Sequence, residues 1–444
     1  MSGIIGIYSK ESNDIPQVTY YGLYALQHRG QVSCGMAVNN NGFIDYYKGL
    51  GLIHEVFTQD VLSRFIGNMA IGHVRYGSQY KGREASNIQP LASGYKKGAL
   101  AISLDGRIIN SKELKDEMEA EGVIFQTDMD AEVIAKLIAK YSHMTFEEAL
   151  LTAISRIKGS YSMIIMTQDE LIGARDPYGI KPLALGKLRD GHVLASESCA
   201  FDTIGAEHLR DIKPGEVVSI DKNGVRVLEE RPENTCHCLF EFIYFARPDS
   251  YLDGRSVYLA RVESGKQLFR EHATEADIVI GAPDSGIEAA IGYAEESNIP
   301  YGEGLIKNRY IGRTFIQPTQ KLREIGVRIK LNALNENIRG KRVVLVDDSI
   351  VRGTTIKRTV QILREAGAKE IHVRVSSPPV THTCYLGMDT PDKDDLIAAN
   401  MTVEEICKEI GADSLYYLSL EGLIEAIGKN MGFCTGCFNG RYPI

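Results

Sequence analysis

Short apolar, β-branched runs separated by turn residues recur through the first half of the chain, at 3–7, 69–74, 99–104, 161–166 and 191–196. That rhythm predicts strands. Two helices interrupt them, one over about 112–120 opened by Asn110-Ser111, the other over about 129–141, where Val133, Ile134, Leu137 and Ile138 recur at helical spacing. Further on the pattern changes: apolar runs at 277–281, 342–346 and 371–375 alternate with helical segments at about 286–297, 354–366 and 402–410. Strand–helix alternation is the mark of βαβ units and a parallel sheet. The change falls near Arg231-Pro232-Glu233-Asn234, which divides the chain into residues 1–232 and 233–444.

The chain has 444 residues, 44% hydrophobic and 24% charged, with a net charge of −8. Its length suits two or three domains with a sizeable core. The acidic balance argues against a nucleic-acid partner, which needs a clustered basic surface. No run approaches the roughly 20 apolar residues of a membrane-spanning helix, and the first residues lack the basic start and apolar run of a signal peptide. The cytoplasm is the expected compartment. Eight cysteines are too few for a disulfide scaffold in a chain this long, so the Cys434-x-x-Cys437 pair points to metal or redox chemistry.

The sharpest local signal is the apolar run 343–346 followed by Asp347, Asp348, Ser349, Ile350, Val351, Arg352, Gly353, Thr354 and Thr355. A continuous apolar run reads as a buried parallel strand, whose carboxyl end is where open α/β sheets bind ligands. Small and hydroxyl residues then open a helix, and its free N–H groups suit a phosphate. The two carboxylates can bind ribose hydroxyls or Mg²⁺; the plainer alternative is that they cap the helix.

This motif resembles that of the type I phosphoribosyltransferases, which bind phosphoribosyl pyrophosphate (PRPP). Over nearly the whole chain the sequence resembles the amidophosphoribosyltransferase family, through the blocks at 26–31 (LQHRGQ), 72–76 (GHVRY), 174–177 (ARDP), 240–250 (FEFIYFARPDS), 281–286 (GAPDSG) and 307–315 (KNRYIGRTF). The resemblance implies an α+β N-terminal-nucleophile hydrolase-like glutaminase over 1–232, then an α/β phosphoribosyltransferase with a parallel sheet. It also implies that Ser285, Asp347 and Asp348 are Mg²⁺-associated, that 349–355 hold the 5-phosphate, and that Lys307, Arg309 and Lys330 lie near the pyrophosphate. The plainer alternative for Arg309 and Arg313 is solvated surface, and the loop holding Gly312 also reads as a mobile lid over the site. Cys238, Cys384, Cys434 and Cys437 match the ligands of a [4Fe–4S] cluster. Four thiolates also suit zinc, and Cys236 is a nearby competitor to Cys238. Cys34, Cys199 and Cys407 read as small buried residues.

The glutaminase half departs from the family pattern. Ser2 stands where the family's mature chain begins with a nucleophilic Cys, and Asp105-Gly106 replaces the Asn-Gly whose amide helps form the oxyanion hole. If Met1 is removed, the α-amine of Ser2 can still act as base, but a hydroxyl is a much weaker nucleophile than a thiol. An ionised Asp is acceptor-only, although Asp105 also reads as an ordinary Asp-Gly turn. Arg75 and Asp130 still match the residues that hold glutamine, whereas Val32 and Lys181 stand where Glu and Arg are usual. The resulting expectation is an enzyme that displaces pyrophosphate from PRPP with ammonia to give 5-phosphoribosylamine, its glutaminase weak or inactive. Two alternatives are a glutamine-dependent enzyme using Ser2 and a silent regulatory paralogue that binds PRPP or nucleotides. By resemblance, purine nucleotides are expected inhibitors and a homotetramer the expected assembly.

Overall fold

A computed structural model of the protein describes residues 1–40, 42–77, 85–308 and 331–444. In the first half, two antiparallel sheets are stacked. The first runs, from edge to edge, through Glu207–Asp211, Ala184–Leu188, Gly191–Ala195, Ser2–Tyr8, Met69–Arg75, Ser33–Asn40 and Phe43–Leu50; the second through Gly224–Glu230, Glu216–Asp221, Leu171–Arg175, Gly159–Met166, Gly98–Ile108 and Leu91–Tyr95. Side-chain alternation along a strand assigns the faces. Ile5 and Ile7 pack outward with helices Ile15–Ala25 and Cys199–Ile204, while Ile4 turns inward to meet Ile164, Met166 and Val218 of the second sheet. Helices Ser111–Ala120, Asp130–Lys140 and Phe146–Arg156 cover that sheet's other face. The result is a helix–sheet–sheet–helix sandwich. Asn110 is the N-cap residue of its helix, as the sequence suggests, but its side chain is engaged elsewhere; it donates to the Arg156 carbonyl at 3.0 Å and accepts from Lys158 N–H at 2.8 Å.

The second half is built on a parallel sheet in the order Ile278–Gly281, Arg342–Asp347, Glu370–Val375 and Ser414–Tyr417. Its strands are covered on both sides, which explains their unbroken apolar runs. Helices Val257–Glu271 and Ile287–Ser297 pack so closely that a Cβ on Gly265 would lie 1.9 Å from the Ala289 carbonyl, and one on Gly292 1.9 Å from that of Val262. Only glycine permits that approach, and it brings Arg261 and Glu288 opposite one another. A two-residue parallel bridge, His237–Cys238 with Phe433–Cys434, ties the junction between the halves to the C-terminus.

No described helix is long and apolar enough to cross a membrane.

Candidate active site

Two cavities hold the candidate residues. The smaller, about 30 Å³, is lined by Met1, Ser2, Arg75, Gly77, Gln89, Leu104, Gly106 and Asp130. It therefore unites every residue expected in the glutaminase site except Asp105, which lies directly behind it. The Ser2 backbone N–H donates to Asp105 Oδ1 at 2.7 Å. Asp130 Oδ2 accepts from Ile108 N–H at 2.9 Å, and Arg75 Nε donates to the Gly77 carbonyl at 3.0 Å.

Behind Ser2 lies a buried ionic network. Arg29, with no exposed surface, donates to the Ser2 carbonyl at 2.9 Å, to Glu197 at 2.6 Å, to both Glu241 oxygens at 2.9 Å and to Asp105 at 3.3 Å. His28 meets Glu197 at 2.8 Å. Buried charges persist only when paired in this way. Burial works to raise the Asp105 carboxyl, but Lys181 and Arg29 outweigh it and leave it below the ordinary carboxylate value. Burial acts likewise on Glu197, where His28 and Arg29 prevail and hold it well below that value. Asp105 is thus an anion set against the nitrogen of residue 2.

The larger cavity, about 900 Å³, is lined by Ser285, Lys307 and residues 347–355, and on its other side by His28, Gln31 and Tyr76 of the first half. Asp347 ends its strand, as the sequence predicts. Asp348 Oδ1 accepts from Ser285 Oγ at 2.5 Å and Oδ2 from Ser349 Oγ at 2.6 Å, while Asp347 Oδ1 accepts from the Asp348 N–H at 3.0 Å. Removal from bulk water, and then the charge of Asp348, push the Asp347 carboxyl well above its usual value. A site where two adjacent carboxyls resist ionisation is suited to a divalent cation. Neither aspartate caps the helix Thr354–Glu365; its N-cap is Gly353, at φ 77°. Lys307 pairs with Asp284, and Arg352 with Asp395 at 3.0 Å. Arg309, Arg313 and Lys330 lie outside the described residues.

The glutamine amidotransferase domain family matches residues 79–203 and the phosphoribosyl transferase domain family residues 249–386. The amidophosphoribosyltransferase of Bacillus subtilis (strain 168) is 50% identical over 450 residues, 99% of this chain and 94% of that protein. That of Archaeoglobus fulgidus is 48% identical over 452 residues, 100% and 98%. The chain belongs to the amidophosphoribosyltransferase family. A solved structure of the B. subtilis glutamine PRPP amidotransferase, complexed with ADP and GMP, superposes with a TM-score of 0.93 at 49% identity, covering 99% of this chain and 97% of that one. The protein is accordingly a transferase acting on PRPP, with an N-terminal-nucleophile-like half followed by a phosphoribosyltransferase half.

The cysteines cluster where the junction between the halves meets the C-terminal segment. Cys238 and Cys434 are directly opposite in the parallel bridge. The Cys437 carbonyl accepts from Thr381 and His382 N–H at 3.0 and 3.1 Å, and Cys384 Sγ accepts from Leu386 N–H at 3.3 Å. Burial, reinforced by neighbouring thiols, pushes Cys238 up to about 12 and Cys434 up to about 11. Burial and then Cys238, Cys384 and Cys434 push Cys437 well above its ordinary value. Cys238, Cys384 and Cys434 are thus near neighbours of Cys437. Among the described residues, however, no group of three or more His, Cys, Asp or Glu side chains is arranged to hold a metal ion. Cys34 and Cys199 are buried, as expected, whereas Cys407 is only half-buried.

Sequence reading assigned no role to Arg29, Glu197, Glu241, Gln89, Arg261 or Glu288. Arg29 falls within the LQHRGQ block, but nothing local distinguishes a buried arginine from a solvated one.

Proposed function

We propose that this enzyme makes 5-phosphoribosylamine from PRPP with ammonia as its nitrogen donor, and that its glutaminase half is weak or inactive. The observation that carries the reading is the ionised Asp105 carboxylate, 2.7 Å from the nitrogen of Ser2. Amide hydrolysis places negative charge on the substrate carbonyl oxygen beside the nucleophile, and one donor aimed at that oxygen is typically worth about 2.7 to 4 kcal/mol. An anion behind that site supplies no donor and opposes the charge that develops. It also favours the protonated form of any α-amine exposed by removal of Met1, withholding the base that Ser2 needs. Arg75, Asp130 and the Gly106 backbone line the same small cavity as Ser2, which favours retained glutamine binding as a second reading.

In the transferase half, residues 349–355 would hold the 5-phosphate at the start of helix Thr354–Glu365, with Asp347 and Asp348 at the ribose. Lys307, with Arg309 and Lys330, would meet the pyrophosphate. Ser285, Asp347 and Asp348 suit Mg²⁺, which when bound supplies positive charge to the departing pyrophosphate. Displacement at C1 needs no protein nucleophile: the nitrogen lone pair forms the new bond as pyrophosphate leaves. Cys238, Cys384, Cys434 and Cys437 supply a donor set whose chemistry fits a [4Fe–4S] cluster. The ADP and GMP bound by the B. subtilis relative support purine nucleotides as inhibitors here. A domain boundary near 232, a homotetramer and a cytoplasmic location complete the reading.

The test is pyrophosphate release with Mg²⁺ and PRPP, given either ammonium at mildly alkaline pH or glutamine. Ammonium should be the better donor by about 100-fold, the scale of a lost oxyanion donor. Equal rates would show that Ser2 works, and no turnover with either donor would favour a silent regulatory protein.

A further inference from the structure

One wall of the large cavity contains a carboxylate that the reaction as described leaves unused. Glu288, in the first turn of helix Ile287–Ser297, and Arg261, from helix Val257–Glu271, both line it. Glu288 is 9% exposed and Arg261 5%. Arg261 is fixed from the other side, its Nε donating to the Phe242 carbonyl and its Nη2 to that of Ala246, each at 2.8 Å. Its Nη1 stops 3.6 Å from Glu288 Oε2, close enough for charge attraction but too far for a hydrogen bond. Among the described residues nothing donates to Oε2. A buried carboxylate oxygen without a donor is costly, and beside a reaction centre it calls for a donor supplied by a water, an ion or a ligand.

The reactants narrow the choice. PRPP presents phosphate oxygens, which a carboxylate repels, and its ribose hydroxyls face Asp347 and Asp348 in the reading above. The nitrogen nucleophile is different: ammonia and ammonium offer N–H donors on every side. We propose that Glu288 Oε2 is the acceptor that seats this nucleophile in the transferase cavity. The proposal rests on ammonia being the nitrogen donor, and makes that reading more specific. A nitrogen bound as ammonium sheds one proton to solvent before its lone pair forms the bond to C1. As that bond forms, the C1–O bond breaks with both electrons leaving on pyrophosphate, and the product ammonium loses a second proton. The charged groups facing Glu288 are Arg261, Asp284 and the Tyr301 phenol, with Asp348 beyond Arg261. Burial raises the Glu288 carboxyl and Arg261 opposes it, which suits a group that must accept a hydrogen bond without locking a cation in place.

The experiment is a steady-state comparison of wild type, Glu288→Gln, Glu288→Ala and Glu288→Asp, varying ammonium and PRPP separately and measuring PRPP binding by calorimetry. Loss of the charged acceptor should raise the KM for total ammonium about tenfold, the scale of one hydrogen bond to a charged group. The KM and affinity for PRPP should stay within about twofold, with Glu288→Asp intermediate. An unchanged ammonium KM, or a PRPP KM that rises in parallel, would overturn the assignment and make Glu288 a structural or ribose-binding group. Absence of ammonium-dependent turnover by the wild type would instead refute the reading of ammonia as donor, and the assignment with it.

Discussion

The backbone N–H of Ser2, in one sheet of the sandwich, donates to Asp105 Oδ1, in the other, at 2.7 Å. The carboxylate thus grips the atom that would have to serve as base if Met1 were removed and Ser2 were to act as nucleophile. Changing the nucleophile alone leaves that grip in place. Ser2→Cys should therefore recover little glutamate release from glutamine, whereas Ser2→Cys with Asp105→Asn should exceed it by about 100-fold, because the anion becomes an amide donor. A coupled glutamate assay decides the matter, and full recovery in the single variant would show Asp105 to be harmless.

The halves of the protein are joined by Arg175, from the second sheet, and Asp253, which meet at 2.7 and 2.9 Å. His237 Nδ1 lies 2.9 Å from the same carboxylate. Burial raises the Asp253 carboxyl, but Arg175 and His237 outweigh it and hold it far below its ordinary value. The sign follows from linkage: a depressed carboxyl contributes stability that is complete above the unfolded value of about 3.9 and is lost as pH falls below it. Asp253→Asn keeps a residue that tolerates the local φ of 48° but removes the ion-pair partner of Arg175. It should cost about 3 kcal/mol, seen as an earlier urea midpoint between pH 5 and 8. The difference from wild type should shrink below about pH 4.

Gly353, at φ 77°, lies within the proposed phosphate loop and caps helix Thr354–Glu365. A Cβ there would lie 2.6 Å from Ile397 Cδ1, and the side chain can yield; the backbone conformation cannot be relieved so easily. Gly353→Ala should therefore misalign the loop and raise the PRPP KM about tenfold or more, with the unfolding midpoint little changed. A PRPP KM within twofold of wild type would remove this loop from phosphate binding.

Those residues were legible in the sequence because their chemistry is local: an apolar strand, two acids and a hydroxyl-rich turn are contiguous. The parallel sheet was legible for the same reason. Other elements were not. Strand Ser33–Asn40 is buried on both faces for most of its length and shows no alternation. Helix Val257–Glu271 buries Arg261, Ser264 and Gly265 among its apolar residues, so its inner face does not read as a stripe. The network behind Ser2 joins Arg29 to Glu197 and Glu241, 168 and 212 positions away. No periodicity reports such a pairing, since each member alone reads as an ordinary surface charge.

The cysteines pose the question on which sequence and geometry pull apart. Cys238 and Cys434 face each other across a parallel bridge, and Cys437 and Cys384 flank the same segment through the backbone bonds at 381–382. Lys181, 1% exposed, has Asp105, Glu241, Cys238 and Cys384 as the neighbours that hold its ammonium charged against burial. Lys181 offsets only part of the burial that keeps these thiols protonated, and a bound iron would supply the remaining charge needed to ionise them. Anaerobically prepared protein should accordingly be brown, with about four iron and four sulfide per chain. Cys238→Ser and Cys434→Ser should each bleach it, whereas Cys236→Ser should not, because Cys236 lies outside the bridge that sets Cys238 opposite Cys434 and its N–H is bonded to the Tyr178 carbonyl of the first half. Colourless wild-type protein carrying one zinc would replace iron–sulfur with a tetrahedral zinc site. Bleaching by Cys236→Ser but not by Cys238→Ser would exchange the two as ligands.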